Sequence, residues 1–97
     1  MQDLFLKGKY FHRVGGPAAV YYNSDGSIWT QKYYIDGILH RVEGPALIEY
    51  YKNGVIYREL YYMKGKLHRE GGPALIKYGE TGEVWSKKHY RNGVIIV

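Results

Sequence analysis

A ten-residue stretch that occurs three times is the strongest constraint on how this chain can fold. His-Arg begins at positions 12, 40 and 68 and Gly-Pro-Ala at 16, 44 and 72, so both motifs recur every 28 residues. Self-similarity at a fixed period indicates a repeat protein, in which each unit buries its apolar surface against its neighbours. The 97 residues are predicted to form a single repeat domain, with units at about 9–37, 38–65 and 66–93 and partial flanking strands.

Glycine-containing turns separate the apolar stretches of each unit. Pairs such as Asp36-Gly37, Asn53-Gly54 and Asn92-Gly93 stand between β-rich segments. Glycine and asparagine adopt positive φ at little steric cost, so pairs of this kind favour hairpins. No stretch shows helical periodicity. We therefore expect an all-β fold, an antiparallel β-meander built from three 28-residue hairpin repeats that form a single curved sheet.

The two strands of each unit differ in how clearly they assign a buried face. In the first strand Ala18, Val20 and Tyr22 have apolar or aromatic counterparts in the other two units. In the second strand Ile28 and Trp29, which lie on opposite parities, are both apolar. Either both faces of this strand are partly covered, or a β-bulge changes the parity within it.

The third unit contains the motif that is most typical of a known family. Gly-Lys-Leu-His-Arg-Glu-Gly-Gly-Pro-Ala at 65–74 precedes an aromatic strand. This stretch resembles the variant MORN-type repeat, whose pattern reads G-K-L-H-R-E-D-G-P-A, and the three copies cover almost the whole chain. The resemblance implies a repeat-built antiparallel sheet that acts as an interaction module. Repeats of this type are frequent in proteins of large DNA viruses, phages and bacteria. The chain departs from the pattern at Val14-Gly15, Val42-Glu43 and Glu70-Gly71, where Glu-Asp is usual.

The recurring His-Arg pair has a functional and a structural interpretation. Equivalent residues two strands apart lie about 9.5 Å from one another, so three pairs form a row of about 19 Å. Such a row would suit phosphates or carboxylates of a partner, because arginine binds both in a bidentate manner. Alternatively, the His and Arg side chains donate to backbone carbonyls left open at the bend before Gly-Pro. Arg13 has no acidic neighbour and is expected to be the freest of the arginines. The candidate residues are His12, Arg13, His40, Arg41, His68 and Arg69.

A set of rings with shared parity gives a second candidate surface. On one face of a sheet these rings would anchor a protein partner or stack on nucleic-acid bases. Aromatic rows in a β-repeat also pack across strands without any binding role. The candidates are Trp29, Tyr33, Tyr57, Tyr61, Trp85 and His89.

Composition argues against catalytic and membrane functions. The chain has no cysteine, and its histidines are spaced too widely across a sheet to share one metal ion. We expect no catalytic residues, no metal, no cofactor and no enzymatic activity. No apolar segment is long enough to span a membrane, and no signal peptide is visible. We expect a cytoplasmic protein, in the host cell if it is viral or phage-derived.

The expected function is that of a non-enzymatic protein–protein interaction module. Together with the family resemblance, the small size suggests a viral or phage inhibitor of a host defence protein, such as an anti-CRISPR. The alternative is a basic, aromatic-rich sheet that binds nucleic acid, in line with the net charge of +5. The apolar segment 94–97 carries no charge or proline that would blunt a sheet edge, so we expect this strand to be covered, either by a second copy of the chain in a homodimer or by a docked partner.

Overall fold

The computed structural model describes residues 1–96, which fold into strands, turns and loops without any helix. The strands are β1 (Gln2–Leu4), β2 (Leu6–Lys7), β3 (Tyr10–Phe11), β4 (Ala19–Tyr22), β5 (Ile28–Lys32), β6 (Tyr34–Ile35), β7 (Ile38–Leu39), β8 (Leu47–Tyr50), β9 (Ile56–Leu60), β10 (Tyr62–Met63), β11 (Lys66–Leu67), β12 (Leu75–Tyr78), β13 (Val84–Arg91) and β14 (Val94–Ile96).

The main sheet has eight strands and is open. Its order is β1-β4-β5-β8-β9-β12-β13-β14, and the pairs whose register is defined are antiparallel. The predicted all-β, antiparallel fold is therefore confirmed. Three two-stranded hairpins, β2–β3, β6–β7 and β10–β11, accompany the sheet and were not foreseen as separate elements.

An inserted loop explains why the hairpins separate from the main sheet. The Tyr33 N–H donates to the Ala46 carbonyl at 2.7 Å, and the Tyr33 carbonyl accepts from the His40 N–H at 3.1 Å. The residues at both ends of segment 40–45 therefore bond to Tyr33, and the segment between them forms a loop outside the hydrogen-bonded sheet. Units one and three repeat this arrangement at 12–17 and 68–73. These three segments are called the His-Arg loops below.

A β-bulge in each repeat resolves the ambiguous parity of the second strand. The register shifts between Tyr21 and Tyr22, and it shifts at the corresponding points of β8 and β12. Tyr22 pairs with Ile28 but Tyr21 pairs with Thr30, which leaves Trp29 as the extra residue. Since paired residues share a face, the bulge moves Ile28 and Thr30 to opposite faces despite their equal parity. The second of the two sequence-based alternatives is thus confirmed.

The sheet consequently has two different faces. The face that contains Val20, Ile48 and Ile76 also contains Tyr33 and Tyr61, and we call it the loop face. The face that contains Tyr21, Thr30 and Leu60 is called the far face.

Burial in this thin molecule is limited to small and medium-sized side chains. The extents are 39 × 30 × 17 Å, as expected for one layer of sheet with loops on it. Thr30 is the one buried polar residue in the described part of the chain, and its hydroxyl donates to the Ile48 carbonyl at 3.1 Å. The buried Ala, Val, Ile and Leu residues are Ala18, Ala19, Val20, Ala46, Ile48, Leu60, Ala74 and Ile76.

The C-terminal edge is apolar and accessible. The predicted strand 94–97 corresponds to β14, whose residues Val94, Ile95 and Ile96 are all exposed; Val97 lies outside the described residues. Pairing of this edge with a second copy remains a prediction. Within residues 1–96 there is no helix with the length and apolar character needed to cross a membrane.

Candidate functional site

Each His-Arg loop holds its arginine against an aromatic ring. The guanidinium carbons of Arg13, Arg41 and Arg69 lie 4.0, 3.9 and 4.0 Å from the ring centroids of Phe5, Tyr33 and Tyr61 respectively. At this distance the cation is attracted by the negative face of the ring. The three rings are themselves 28 residues apart, so the stack is a property of the repeat.

The glycine before each proline makes room for the same guanidinium. A Cβ built on Gly72 would lie 3.0 Å from Cζ, 3.1 Å from Nε and 3.1 Å from Nη1 of Arg69. These nearly equal distances place it over the flat face of the group. The Tyr61 ring must then occupy the other face, so the guanidinium lies between a ring and a glycine. Arg41 and Gly44 have the same arrangement.

A backbone carbonyl completes the position of each arginine. Nη1 donates to the carbonyl of Pro17, Pro45 or Pro73, at 3.3, 3.1 and 3.1 Å. The structural interpretation of the arginine row is thus supported by specific contacts. The expectation that Arg13 stands apart is not reflected in these contacts, since it makes the same stack and the same bond. It differs in being more exposed than Arg41 and Arg69.

Each histidine connects its loop to the turn that closes the same repeat. Nδ1 of His12, His40 and His68 accepts the backbone N–H of Asp36, Lys64 and Asn92, each at 3.0 Å. These three turn residues have positive φ, between 48° and 51°. The bond runs opposite to the sequence-based expectation, because the imidazole accepts from the backbone and does not donate to it.

This backbone bond also fixes which ring nitrogen carries the proton. A neutral imidazole with Nδ1 as acceptor carries its hydrogen on Nε2. In unit three Nε2 of His68 lies 3.9 Å from a carboxylate oxygen of Glu70. The position equivalent to Glu70 is Val42 in unit two and Val14 in unit one. Among the described residues, the histidines of those units therefore have no acidic residue beside Nε2, although a carboxylate oxygen of Asp36 lies 3.3 Å from Nδ1 of His12.

Three grooves lie on the loop face, each bordered by two arginines and floored by one ring. The first, of about 450 Å³, places Tyr33 between Arg13 and Arg41. The second, of about 530 Å³, places Tyr61 between Arg41 and Arg69. The third, of about 330 Å³, is lined by Arg69, His89 and Arg91. The residues at the ring position, 33, 61 and 89, are again 28 apart. We call these grooves one, two and three.

The grooves differ in charge because the acidic residues are unevenly distributed. Groove one contains Glu43 beside its two arginines, and groove two contains both Glu43 and Glu70. Groove three has two arginines and no acid among its described lining residues. With neutral histidines, the formal charges are +1, 0 and +2. The row is therefore most cationic at its two ends.

A tyrosine row behind the grooves is kept neutral by its surroundings. The hydroxyl of Tyr50 donates to Gln31 at 2.7 Å, and that of Tyr78 donates to Glu59. Burial, followed by the hydrogen bond to Glu59 and the charge of that residue, raises the pKa of Tyr78 to about 12. Burial also raises the pKa of Tyr50. These phenols hold neighbouring strands together and are not candidates for proton transfer.

The predicted ring surface is divided between the two faces. Tyr33, Tyr61 and His89 line the grooves, but Trp29 contacts Tyr21 of the far face with the ring centroids 6.3 Å apart. Tyr57 packs against Tyr51 with centroids 5.1 Å apart. Trp29 and Trp85 are 50% and 67% exposed. A single platform that contains all six rings is therefore not formed, because the bulge separates Trp29 and its equivalents from the groove rings.

Sequence reasoning missed Arg91, which borders groove three. Its counterparts in the other units are Ile35 and Met63, which line grooves one and two. When the three units are aligned, this position is occupied by an apolar side chain in units one and two and by a cationic side chain in unit three. The signal was thus present in the sequence, but the position lies outside the His-Arg motif.

The site offers guanidinium, imidazole and ring groups for binding. No cluster of three or more His, Asp or Glu side chains within residues 1–96 could hold a metal ion. The arginines and histidines instead form a fixed row of hydrogen-bond donors. Comparison of the chain with models of known protein families, with curated proteins and with solved structures gave no match.

Proposed function

We propose that the chain is a non-enzymatic protein-interaction module that binds an acidic segment of a protein partner along the three grooves. The observation that carries the proposal is the ring flanked by two arginines that recurs in each groove. Arginine and tyrosine are the residues most enriched among those that dominate binding energy at interfaces.

The fold lowers the entropic cost of using these arginines. Ordering a long side chain at an interface costs about 0.5–1.5 kcal/mol. Here the guanidinium of Arg41 is already held by the Tyr33 ring and the Pro45 carbonyl. A guanidinium has five N–H donors, and among the described residues Arg41 uses one of them in a hydrogen bond. The remaining donors can meet a carboxylate without new ordering of the side chain.

The arrangement of rings disfavours the alternative, a nucleic-acid-binding sheet. Binding to single strands combines cations along the backbone with rings on which bases stack. In this chain the exposed rings of Trp29 and Trp85 are separated from the arginine row by the bulge. The groove rings Tyr33 and Tyr61 are each covered on one side by a guanidinium.

A more specific role, that of a viral or phage inhibitor of a host defence protein such as an anti-CRISPR, rests only on the family resemblance. It is compatible with a small module that covers an acidic surface of its target. The grooves do not distinguish this role from other protein interactions.

Panning of a random twelve-residue peptide display library against the whole chain tests the proposal. We expect the selected peptides to be rich in Asp and Glu, and their binding to weaken in Arg13→Gln and Arg91→Gln. Lys88→Gln removes the same charge from the far face and serves as the matched control. Selected peptides without acidic enrichment, or binding that survives both arginine substitutions, would contradict the proposal.

A second arm of the same experiment addresses the alternative. A twenty-nucleotide oligo-dT is titrated at several salt concentrations. Tight binding with a log–log salt slope of several times −0.7 would indicate phosphate contacts along the row and support nucleic-acid binding instead. Under our proposal the oligonucleotide binds weakly and does not displace the selected peptides.

A further inference from the structure

The spacing of the grooves restricts the conformation of the segment that binds them. Equivalent positions of successive units are two strands apart, which corresponds to about 9.5 Å along the row. Groove one and groove three are therefore about 19 Å apart. A peptide that follows the row must place one side chain in each groove, so the side chains that face the sheet must recur at this interval.

Among regular peptide conformations, polyproline II matches this interval with the correct facing. It rises about 3.1 Å per residue with three residues per turn, so every third residue returns to the same side after about 9.3 Å. Six residues span about 18.6 Å, which matches the distance between grooves one and three. In a β-strand the third residue also lies about 10 Å away, but it points to the opposite side, because side chains alternate.

The lining of the grooves is chemically suited to such a helix. Polyproline II segments dock into grooves lined by aromatic residues. Grooves one and two contain Tyr33 and Tyr61, and the aliphatic side chains of Ile35 and Met63 lie beside them. The charges then determine where acidic residues are favoured. They are favoured at grooves one and three, and groove two, with two arginines and two glutamates, takes an uncharged residue.

Resting on the proposed function, we infer that the partner segment is a proline-rich polyproline II helix with acidic residues six positions apart. One carboxylate meets Arg13 and Arg41 in groove one, and the other meets Arg69 and Arg91 in groove three. The segment crosses the strands at about a right angle, so it does not need a free sheet edge.

The test uses three synthetic eleven-residue proline peptides, each with two glutamates and a fluorescent label. The glutamates stand at positions 3 and 9 in the first peptide, 3 and 8 in the second, and 3 and 7 in the third. All three have the same composition and charge, so only the spacing differs. Dissociation constants are measured by fluorescence anisotropy with the whole chain at low salt.

We expect the six-residue spacing to bind about fivefold more tightly than the other two, since an exposed ion pair contributes up to about that factor. Arg91→Gln should abolish this preference, because groove three then loses one of its two cations. The Arg91 side chain makes no hydrogen bond with the described residues, so the substitution should not disturb the fold. Lys88→Gln, which removes the same charge from the far face, should preserve it.

Two negative results separate this inference from the function on which it rests. Equal binding of all three peptides would overturn the polyproline II register and leave an acidic-segment module intact. No measurable binding of any of these peptides, while the acidic peptides selected from the library still bind, would likewise overturn the inference alone. Failure of the synthetic and the selected peptides together would overturn both.

Discussion

The contact between Arg69 and Gly72 gives a prediction that can be quantified from the structure. An alanine Cβ at position 72 would lie 3.0 Å from Arg69 Cζ, below the ordinary contact range of 3.4–4 Å. The Tyr61 ring, whose centroid is 4.0 Å from the same carbon, limits how far the guanidinium can move the other way. We therefore expect the guanidinium to be displaced from the stack in Gly72→Ala.

The cost follows from the two interactions that are lost. Leaving the ring costs about 0.5–2 kcal/mol, and the charge-assisted bond to the Pro73 carbonyl contributes about 1.5–3 kcal/mol. Against this loss of about 2–5 kcal/mol stands a gain of about 0.4–1 kcal/mol, because alanine reduces the entropy of the unfolded chain. Gly72 does not have positive φ, so alanine introduces no strain there. We expect Gly72→Ala to destabilise the wild-type chain by about 1–5 kcal/mol.

The same substitution should have the opposite sign once the arginine is absent. In an Arg69→Ala background nothing remains for the new methyl group to displace, so Gly72→Ala should stabilise by about 0.4–1 kcal/mol. Urea unfolding of the wild type, both single variants and the double variant measures this coupling directly. An equal effect of Gly72→Ala in both backgrounds, within about 0.5 kcal/mol, would refute the reasoning that the glycine accommodates the guanidinium.

Three further predictions concern single side chains. His40→Ala should lower the free energy of unfolding by about 0.5–1.5 kcal/mol, because the hydrogen bond to the Lys64 N–H is lost. His89→Ala, at an exposed position, should change it by less than about 0.5 kcal/mol, and equal urea midpoints for the two variants would contradict this. Thr30→Val keeps the shape of the side chain but removes the buried hydroxyl bonded to Ile48, so a loss of about 1 kcal/mol is expected in thermal or urea melts; an unchanged melt would show that the bond contributes nothing. The pKa of Tyr78, raised from 10.0 to about 12, gives stability that is fully present below pH 10 and is lost as the pH rises towards 12, because only the unfolded chain ionises there. Tyr78→Phe should flatten the decline of stability between these pH values, and an unaltered slope would argue against the raised pKa.

Much of the fold could be predicted from the sequence, because the information is local and repeated three times. The 28-residue period, the X-Gly turns and the lack of helical periodicity predict an antiparallel β-structure without reference to any long-range contact. The structure has this architecture, with Asp36, Lys64 and Asn92 at positive φ in three equivalent turns.

The candidate site was predictable only in part. The His-Arg motif predicted most of the arginines and histidines that border the grooves, but Arg91 lies outside the motif and was not predicted as a site residue. The parity of Trp29 and Tyr33 suggested one shared surface, whereas the bulge places Trp29 against Tyr21 of the far face. The polarity pattern raised a bulge only as one of two alternatives, and it could not place Trp29, since an exposed aromatic residue and a groove-lining one look the same in sequence.

The chemical state of the motif was decided by tertiary structure alone. The sequence determines that a histidine, an arginine and a glycine recur in phase. Only the folded repeat brings Gly44 and the Tyr33 ring to the two faces of the Arg41 guanidinium. Only the return of the chain to the Lys64 turn, 24 residues after His40, makes Nδ1 an acceptor. The position of the guanidinium and the acceptor role of Nδ1 both depend on residues that are distant in sequence. These residues come into contact only because the His-Arg loop lies outside the hydrogen-bonded sheet.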